Sequence, residues 1–149
     1  MKSDKEANYM GNSHRIGDLM TKDPRTVGED ASVVDAARVM RDDDVGLVPI
    51  VEGERLVGTI TDRDIAIRVV AESRDPSSLN VREVASTDLV TIDPQQELDE
   101  ALRLMAQHQV RRLPVVEEDG RLVGIVSQAD VALHGDDSET GQVVQQISQ

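Results

Sequence analysis

One pattern occurs twice in the sequence: Gly58-x-x-Thr61-x-x-Asp64 and Gly124-x-x-Ser127-x-x-Asp130. In each copy a hydroxyl and a carboxylate stand three residues apart, where an apolar strand pattern gives way to a helical one. A carboxylate so placed can accept from two vicinal hydroxyls, as in a ribose diol, while the free amides of the helix start attract an anion such as phosphate. The same spacing is a helix N-cap signature, in which the pair satisfies the orphan amides of the first turn. Spacing alone leaves both open. Other candidate chemistry is thinner. His14, His108 and His134 lie far apart, with no zinc-ligand spacing between any two. The acidic runs Asp42-Asp43-Asp44 and Asp136-Asp137 fit solvated faces better than magnesium sites. The sequence offers no glycine-rich phosphate loop, nucleophile elbow or Ser–His–Asp set, so no catalysis is expected, and no cofactor or metal is required.

The elements that must position these residues come from an internal duplication. Val45-Gly46-Leu47-Val48-Pro49-Ile50-Val51 returns at an offset of 65 as Val110-Arg111-Arg112-Leu113-Pro114-Val115-Val116. Leu56-Val57-Gly58-Thr59-Ile60-Thr61 returns at an offset of 66 as Leu122-Val123-Gly124-Ile125-Val126-Ser127. The slip falls in the turns, where insertion is cheap. Each copy predicts a short strand (Arg25–Val27; Leu89–Ile92), then a helix, then a buried hairpin, then a second helix opening at Thr61 or Ser127. The first helix is expected over 32–41 with Val33, Ala36, Ala37 and Met40 inward. Its twin is expected over 94–107 with Leu98, Ala101, Leu102 and Met105 inward and Pro94 at the first helical position. Ile65, Val69 and Val70 are expected inward on the helix after the first hairpin, and short helices near 14–20 and 81–85 lead into each copy. The resulting division is a flexible N-terminus at 1–12, repeat one at 13–72, a polar linker at 73–80, repeat two at 81–134 and a tail at 135–149, in which Val143–Ile147 has the pattern of one amphipathic turn.

Composition narrows the classes of function. There is no Cys, Trp or Phe, and Tyr9 is the one aromatic, which excludes thiolate metal sites, disulfides, aromatic cages and base-stacking platforms. Of the 57 apolar residues 21 are Val, so the core must be built from branched aliphatics. A formal net charge of −13 repels a phosphate backbone, which argues against nucleic-acid binding. No apolar run reaches membrane-spanning length and no signal-peptide pattern opens the chain, so a cytoplasmic protein is expected.

The ordered set of markers over about 14–134 resembles tandem CBS domains, the pair known as a Bateman module. It comprises the apolar runs through Pro49 and Pro114, the two Leu-Val-Gly strands, Thr61-Asp62-Arg63-Asp64 and Ser127-x-x-Asp130. The chain is most similar to small stand-alone bacterial members. The resemblance implies an α+β fold of two β-α-β-β-α repeats packed sheet to sheet about a pseudo-two-fold axis, with two clefts between them for AMP, ADP, ATP or S-adenosylmethionine. It implies that Asp64 and Asp130 hold ribose hydroxyls, and that Thr61 and Ser127 contact ribose or phosphate. Adenine would lie against Val45, Leu47 and Thr59 in one cleft, and against Val110, Arg112 and Ile125 in the other. Met20 and Arg25, with Ala85 and Val90 in repeat two, would close the edges. Arg111 and Arg112, which replace Gly46 and Leu47, become the leading phosphate ligands, with Arg63 and Lys22 behind them; the alternative for these cations is pairing with surface carboxylates. The resemblance also implies a homodimer formed through helices, for which Ile67, Val70 and Val131 offer apolar positions. An unidentified protein target is possible. The competing expectation is a structural or interaction dimer with vestigial clefts.

Overall fold

The computed structural model describes residues 14–134; the Val143–Ile147 turn and the Asp136-Asp137 pair lie outside them. In chain order the elements are α1 (Ile16–Leu19), β1 (Thr21–Lys22), β2 (Val27–Gly28), α2 (Val33–Asp43), β3 (Leu47–Glu52), β4 (Arg55–Thr61), α3 (Asp62–Ile65), α4 (Leu98–His108), β5 (Arg112–Val116), β6 (Leu122–Ser127) and α5 (Gln128–His134). A π-helix over Ala66–Val70 continues α3, and 3-10 turns occupy Pro76–Ser78 and Val81–Glu83. The fold is α+β with two three-stranded sheets, in the orders β2-β3-β4 and β1-β6-β5.

Local chemistry explains most helix boundaries. Ser32 Oγ accepts from Asp35 N–H while the Asp35 carboxylate accepts from Ser32 N–H, a complete capping box that starts α2. Val33, Ala36 and Val39 are buried and Ala37 is exposed, so the larger Val39 takes the inward place expected of Ala37. On α4 the expected Leu98, Ala101, Leu102 and Met105 are the buried residues. Its start differs from expectation: Pro94 lies in a turn before the helix. Asp93 Oδ1 accepts from Gln95 N–H, while the Pro94 and Gln96 carbonyls accept from Gly17 and Ile16 N–H. Those carbonyls are thus committed to the leading segment rather than to a first helical turn. Both helices end on a left-handed residue, Asp44 (φ 54) and Gln109 (φ 53).

The chain forms two compact units that cut across the sequence repeats. One, the first-repeat unit, holds Asp23–Leu89 and Asp119–Leu122; the other, the second-repeat unit, holds, of the described residues, 14–22, Val90–Glu118 and 123–134. Each leading segment folds onto the other copy's hairpin. Ile16 and Leu19 join the core of Leu98, Met105, Leu113 and Val126, whereas Val81 and Val84 join that of Val33, Val48, Ile60 and Val69. The pairings repeat the pattern: Thr21 lies opposite Ile125, and Ser86 bridges to Thr59. The short strands are shorter than expected. Only Val27–Gly28 pairs, parallel to Ile50–Val51, and Ile92 makes a single parallel bridge to Val115.

Three expected burials are corrected. Val70 is 68% exposed although Val69 is fully buried. The π-helical bonds from Ala71 N–H to Ala66 O and from Arg74 N–H to Val69 O insert an extra residue, which rotates Val70 off the inward face. Val131 is 1% exposed and belongs to the second core, so it is not spare surface. Leu79, assigned to a polar linker, is buried, and its carbonyl accepts from Val33 N–H. Among the described residues no helix is long and apolar enough to cross a membrane.

Candidate functional site

In the first-repeat unit β3 and β4 are antiparallel, with Leu47 opposite Thr61 and Pro49 opposite Thr59. Side chains alternate across a strand, so Leu47, Pro49, Thr59 and Thr61 share one face while Val48, Ile50 and Ile60 fill the core on the other. β4 ends at Thr61, where the capping possibility is realised. Asp64 N–H donates to Thr61 Oγ1 (3.0 Å), and Thr61 N–H donates to Asp64 Oδ2 (2.9 Å). Asp62 N–H donates to the Gly46 carbonyl (3.0 Å), tying the Val45–Leu47 stretch to the same helix start. Val45, Leu47, Thr59, Thr61 and Asp64 therefore meet at one end of the hairpin.

Two acceptors or donors there remain unspent. Thr59 is only 9% exposed, yet its hydroxyl makes no hydrogen bond to any described residue; its backbone N–H and carbonyl are taken by Ser86. The cap occupies Asp64 Oδ2 and leaves Oδ1 without a hydrogen bond among the described residues. Arg63 is exposed and its guanidinium has no ion pair there, whereas Arg25 is drawn onto Asp43 (3.1 Å). Arg25 thus sits on the acidic end of α2, where Arg41 also hydrogen-bonds Asp42 and holds that carboxyl below the usual range.

The second-repeat unit repeats the frame with different side chains. Asp130 N–H donates to Ser127 Oγ (3.1 Å) and Ser127 N–H to Asp130 Oδ2 (2.9 Å). Gln128 N–H donates to the Arg111 carbonyl (2.7 Å), so Val110, Arg111 and Arg112 are tied to the start of α5. Ile125 takes the place of Thr59. The side chains of Arg111 (exposed) and Arg112 (half-buried) pair with no carboxylate among the described residues. Lys22 is separated from this group. It lies opposite Gly124, on the other face of the sheet from Ile125 and Ser127. Met20 packs on Gly124 in the second-repeat unit, whereas Arg25 pairs with Asp43 in the first; Ala85 lies near Gly58, and Val90 packs on the second core.

Sequence patterns missed Ser86 and Thr21, whose backbones flank Thr59 and Ile125. The signal was present: they are equivalent at the repeat offset of 65, as are the cores' Ile16 and Val81. Nothing local shows that such segments exchange partners.

A CBS domain family model matches residues 16–71 and again 81–135. The chain is 42% identical over 134 residues to the CBS domain-containing protein YhcV of Bacillus subtilis, covering 89% of this chain and 94% of that one. Hypoxic response protein 1, known from Mycobacterium tuberculosis and solved with two coordinated zinc ions, superposes with a TM-score of 0.75 at 40% identity, over 82% of this chain and 99% of that one. The CBS domain pair of protein MJ0100, solved with 5′-methylthioadenosine and S-adenosylmethionine, superposes with a TM-score of 0.74 at 26% identity, over 81% and 94%. Among the described residues of the present chain, no three His, Cys, Asp or Glu side chains gather where they would hold a metal ion.

Proposed function

Because the chain belongs to the CBS-domain family, with one domain in each repeat, we propose that it is a non-catalytic regulatory module that binds an adenosine-containing ligand (AMP, ADP, ATP or S-adenosylmethionine) and signals through its shape or its affinity for a partner. The observation that carries this is Thr59, a residue only 9% exposed whose hydroxyl has no hydrogen bond to a described residue, on the same strand face as Thr61, whose cap leaves one Asp64 oxygen free. An unsatisfied buried hydroxyl is unfavourable unless something else meets it. A nucleobase nitrogen meets it well. The cap and the ligand role are compatible, since a carboxylate has about four lone-pair sites. The cap uses one and fixes the carboxylate's direction, leaving the other oxygen for a ribose diol. With no aromatic ring nearby, the base is gripped by aliphatic contact with Val45 and Leu47, so affinity is modest. In the second-repeat unit Asp130 and Ser127 repeat the ribose contacts, and Arg112 with Arg111 takes phosphate; in the first-repeat unit Arg63 is a weaker phosphate candidate, and Lys22, on the other sheet face, is dropped from the phosphate set. The adenosine compounds seen in MJ0100 support this ligand class.

A second function, interaction through a homodimer in the cytoplasm, is favoured by a separate observation: Ile67 and Val70 are 51% and 68% exposed on the helix after the first hairpin. Calorimetry with the four ligands tests the first. Asp64→Asn keeps an oxygen for the Thr61 amide and removes the anionic acceptor, so the expected outcome is a folded variant with at least about tenfold weaker binding, or 1.4 kcal/mol. Unchanged affinity in both Asp64→Asn and Asp130→Asn would remove the ribose role.

A further inference from the structure

The two hairpin ends share a frame but carry opposite charge. The Gly46 carbonyl and the Arg111 carbonyl each accept from the residue after the cap, Asp62 and Gln128 respectively. The stretch entering that frame ends on a left-handed residue in both, Asp44 and Gln109. At these equivalent places the first-repeat unit has Asp44, Gly46, Leu47 and Asp62, while the second-repeat unit has Gln109, Arg111, Arg112 and Gln128. Asp42 and Asp43 of the first have arginine ion pairs; Asp44 and Asp62 have none among the described residues, and Asp62 Oδ1 accepts only from the Arg63 backbone N–H (2.8 Å). The first site therefore has two carboxylates without an ion pair besides Asp64, with Arg63 as the cation beside them. The second has two unpaired guanidiniums and the single carboxylate Asp130. Hydrogen-bonding capacity differs in the same direction: the buried, unpartnered Thr59 hydroxyl stands where the second unit has Ile125.

Resting on the adenosine assignment above, we propose that the two units divide adenosine ligands by the charge of the 5′ substituent. The second-repeat unit takes 5′-phosphates. The first-repeat unit takes adenosine compounds whose 5′ group is neutral or cationic, such as a thioether or a sulfonium carrying an amine. Phosphate brought to the first site meets the exposed carboxylates of Asp44, at the end of α2, and Asp62, at the start of α3, and this like charge, screened by solvent, disfavours it. A sulfonium or ammonium meets the same pair favourably. At the second site Arg111 and Arg112 reverse the preference, and bidentate guanidinium–phosphate bonds add directionality. Base recognition also divides. Thr59 reads a polar edge, so the first site relies on the nucleoside; Ile125 only contacts the base, so the second relies on phosphate.

The test is calorimetry on the full chain with ATP and with S-adenosylmethionine, each against two charge variants. Arg111→Gln combined with Arg112→Gln is expected to weaken ATP at least about tenfold and to leave S-adenosylmethionine within about twofold. Asp44→Asn combined with Asp62→Asn is expected to do the reverse, weakening S-adenosylmethionine about threefold or more without loss of ATP affinity. Asn tolerates the left-handed backbone at position 44, so this variant keeps the end of α2. Equal loss of both ligands in either variant overturns the division by charge while leaving adenosine binding in place. Binding of neither ligand to the unsubstituted protein overturns the adenosine assignment, and the division with it.

Discussion

Thr59 is the residue on which folding and function pull in opposite directions. Its side chain is buried like that of a core valine, yet it carries a hydroxyl that no described residue meets. Thr59→Val keeps the shape and removes the hydroxyl, and chemical denaturation is expected to show a gain of about 1 kcal/mol, the lower end of the penalty for a buried unpaired hydroxyl. The same variant is expected to weaken binding of a nucleoside ligand. A variant less stable than the parent would show that the hydroxyl has a protein partner after all. The sequence marked Thr61, Asp64, Ser127 and Asp130 correctly as a recurring unit, because hydroxyl and carboxylate spacing is local. The family resemblance already named Thr59 as a base contact, but its burial without a partner is a property of the surroundings that no spacing records.

At the scale of elements, the exchange of leading segments explains the repeated glycines. A Cβ on Gly124 would lie 2.7 Å from the Thr21 carbonyl and 2.5 Å from Met20 Sδ, whereas a Cβ on Gly58 would lie 3.4 Å from the Ser86 carbonyl. Backbone cannot yield as a side-chain tip can. Gly124→Ala is therefore expected to lose about 1–3 kcal/mol, the range for overpacking, and Gly58→Ala clearly less. Equal losses in thermal unfolding would mean that β1 does not press on β6 as described. Strand register has an electrostatic consequence as well. Pairing Gly28 with Val51 sets Glu29 beside Glu52, and the hydrogen bond shared with Glu52 holds the Glu29 carboxyl above its ordinary value of 4.5. A raised carboxyl pKa means that the folded state binds the proton more readily than the unfolded chain does. Stability from that pair is present at low pH and lost as pH rises through the folded value. Glu52→Gln is expected to raise Tm near pH 7 and to bring a smaller gain below about pH 4, where the raised Glu29 carboxyl is protonated in the folded state. A gain of the same size at both pH values would contradict the shared proton. Sequence placed α2, both hairpins and most of α4, since capping boxes and alternation act over a few residues. It misplaced the start of α4 because Pro94 and Gln96 hand their carbonyls to residues about eighty positions away.

For the whole molecule, charge and exposed apolar surface set the expectations. A net charge of −13 keeps the chain dispersed and makes local cations such as Arg111 and Arg112 decisive for any anion. Ile67 and Val70 interrupt that polar surface, and a second copy of the chain would cover them. Light scattering at tens of micromolar is expected to give a dimer mass, and Val70→Lys a lower one; a monomer for the parent protein would remove the homodimer. The expected apolar contribution of Val131 to such a surface is withdrawn, because that side chain is spent inside the second core.

The duplication, the α+β elements, the aliphatic core and the two hydroxyl–carboxylate caps follow from the order of residues alone. Each of these is written in periodicity, in spacing or in composition. Which hairpin each leading segment joins is set by the folded arrangement, and with it that Met20 packs on Gly124 while Arg25 pairs with Asp43. The two copies are similar enough that either hairpin offers a leading segment comparable amides and apolar sockets. The choice rests on contacts between distant parts of the chain, and no local pattern records it.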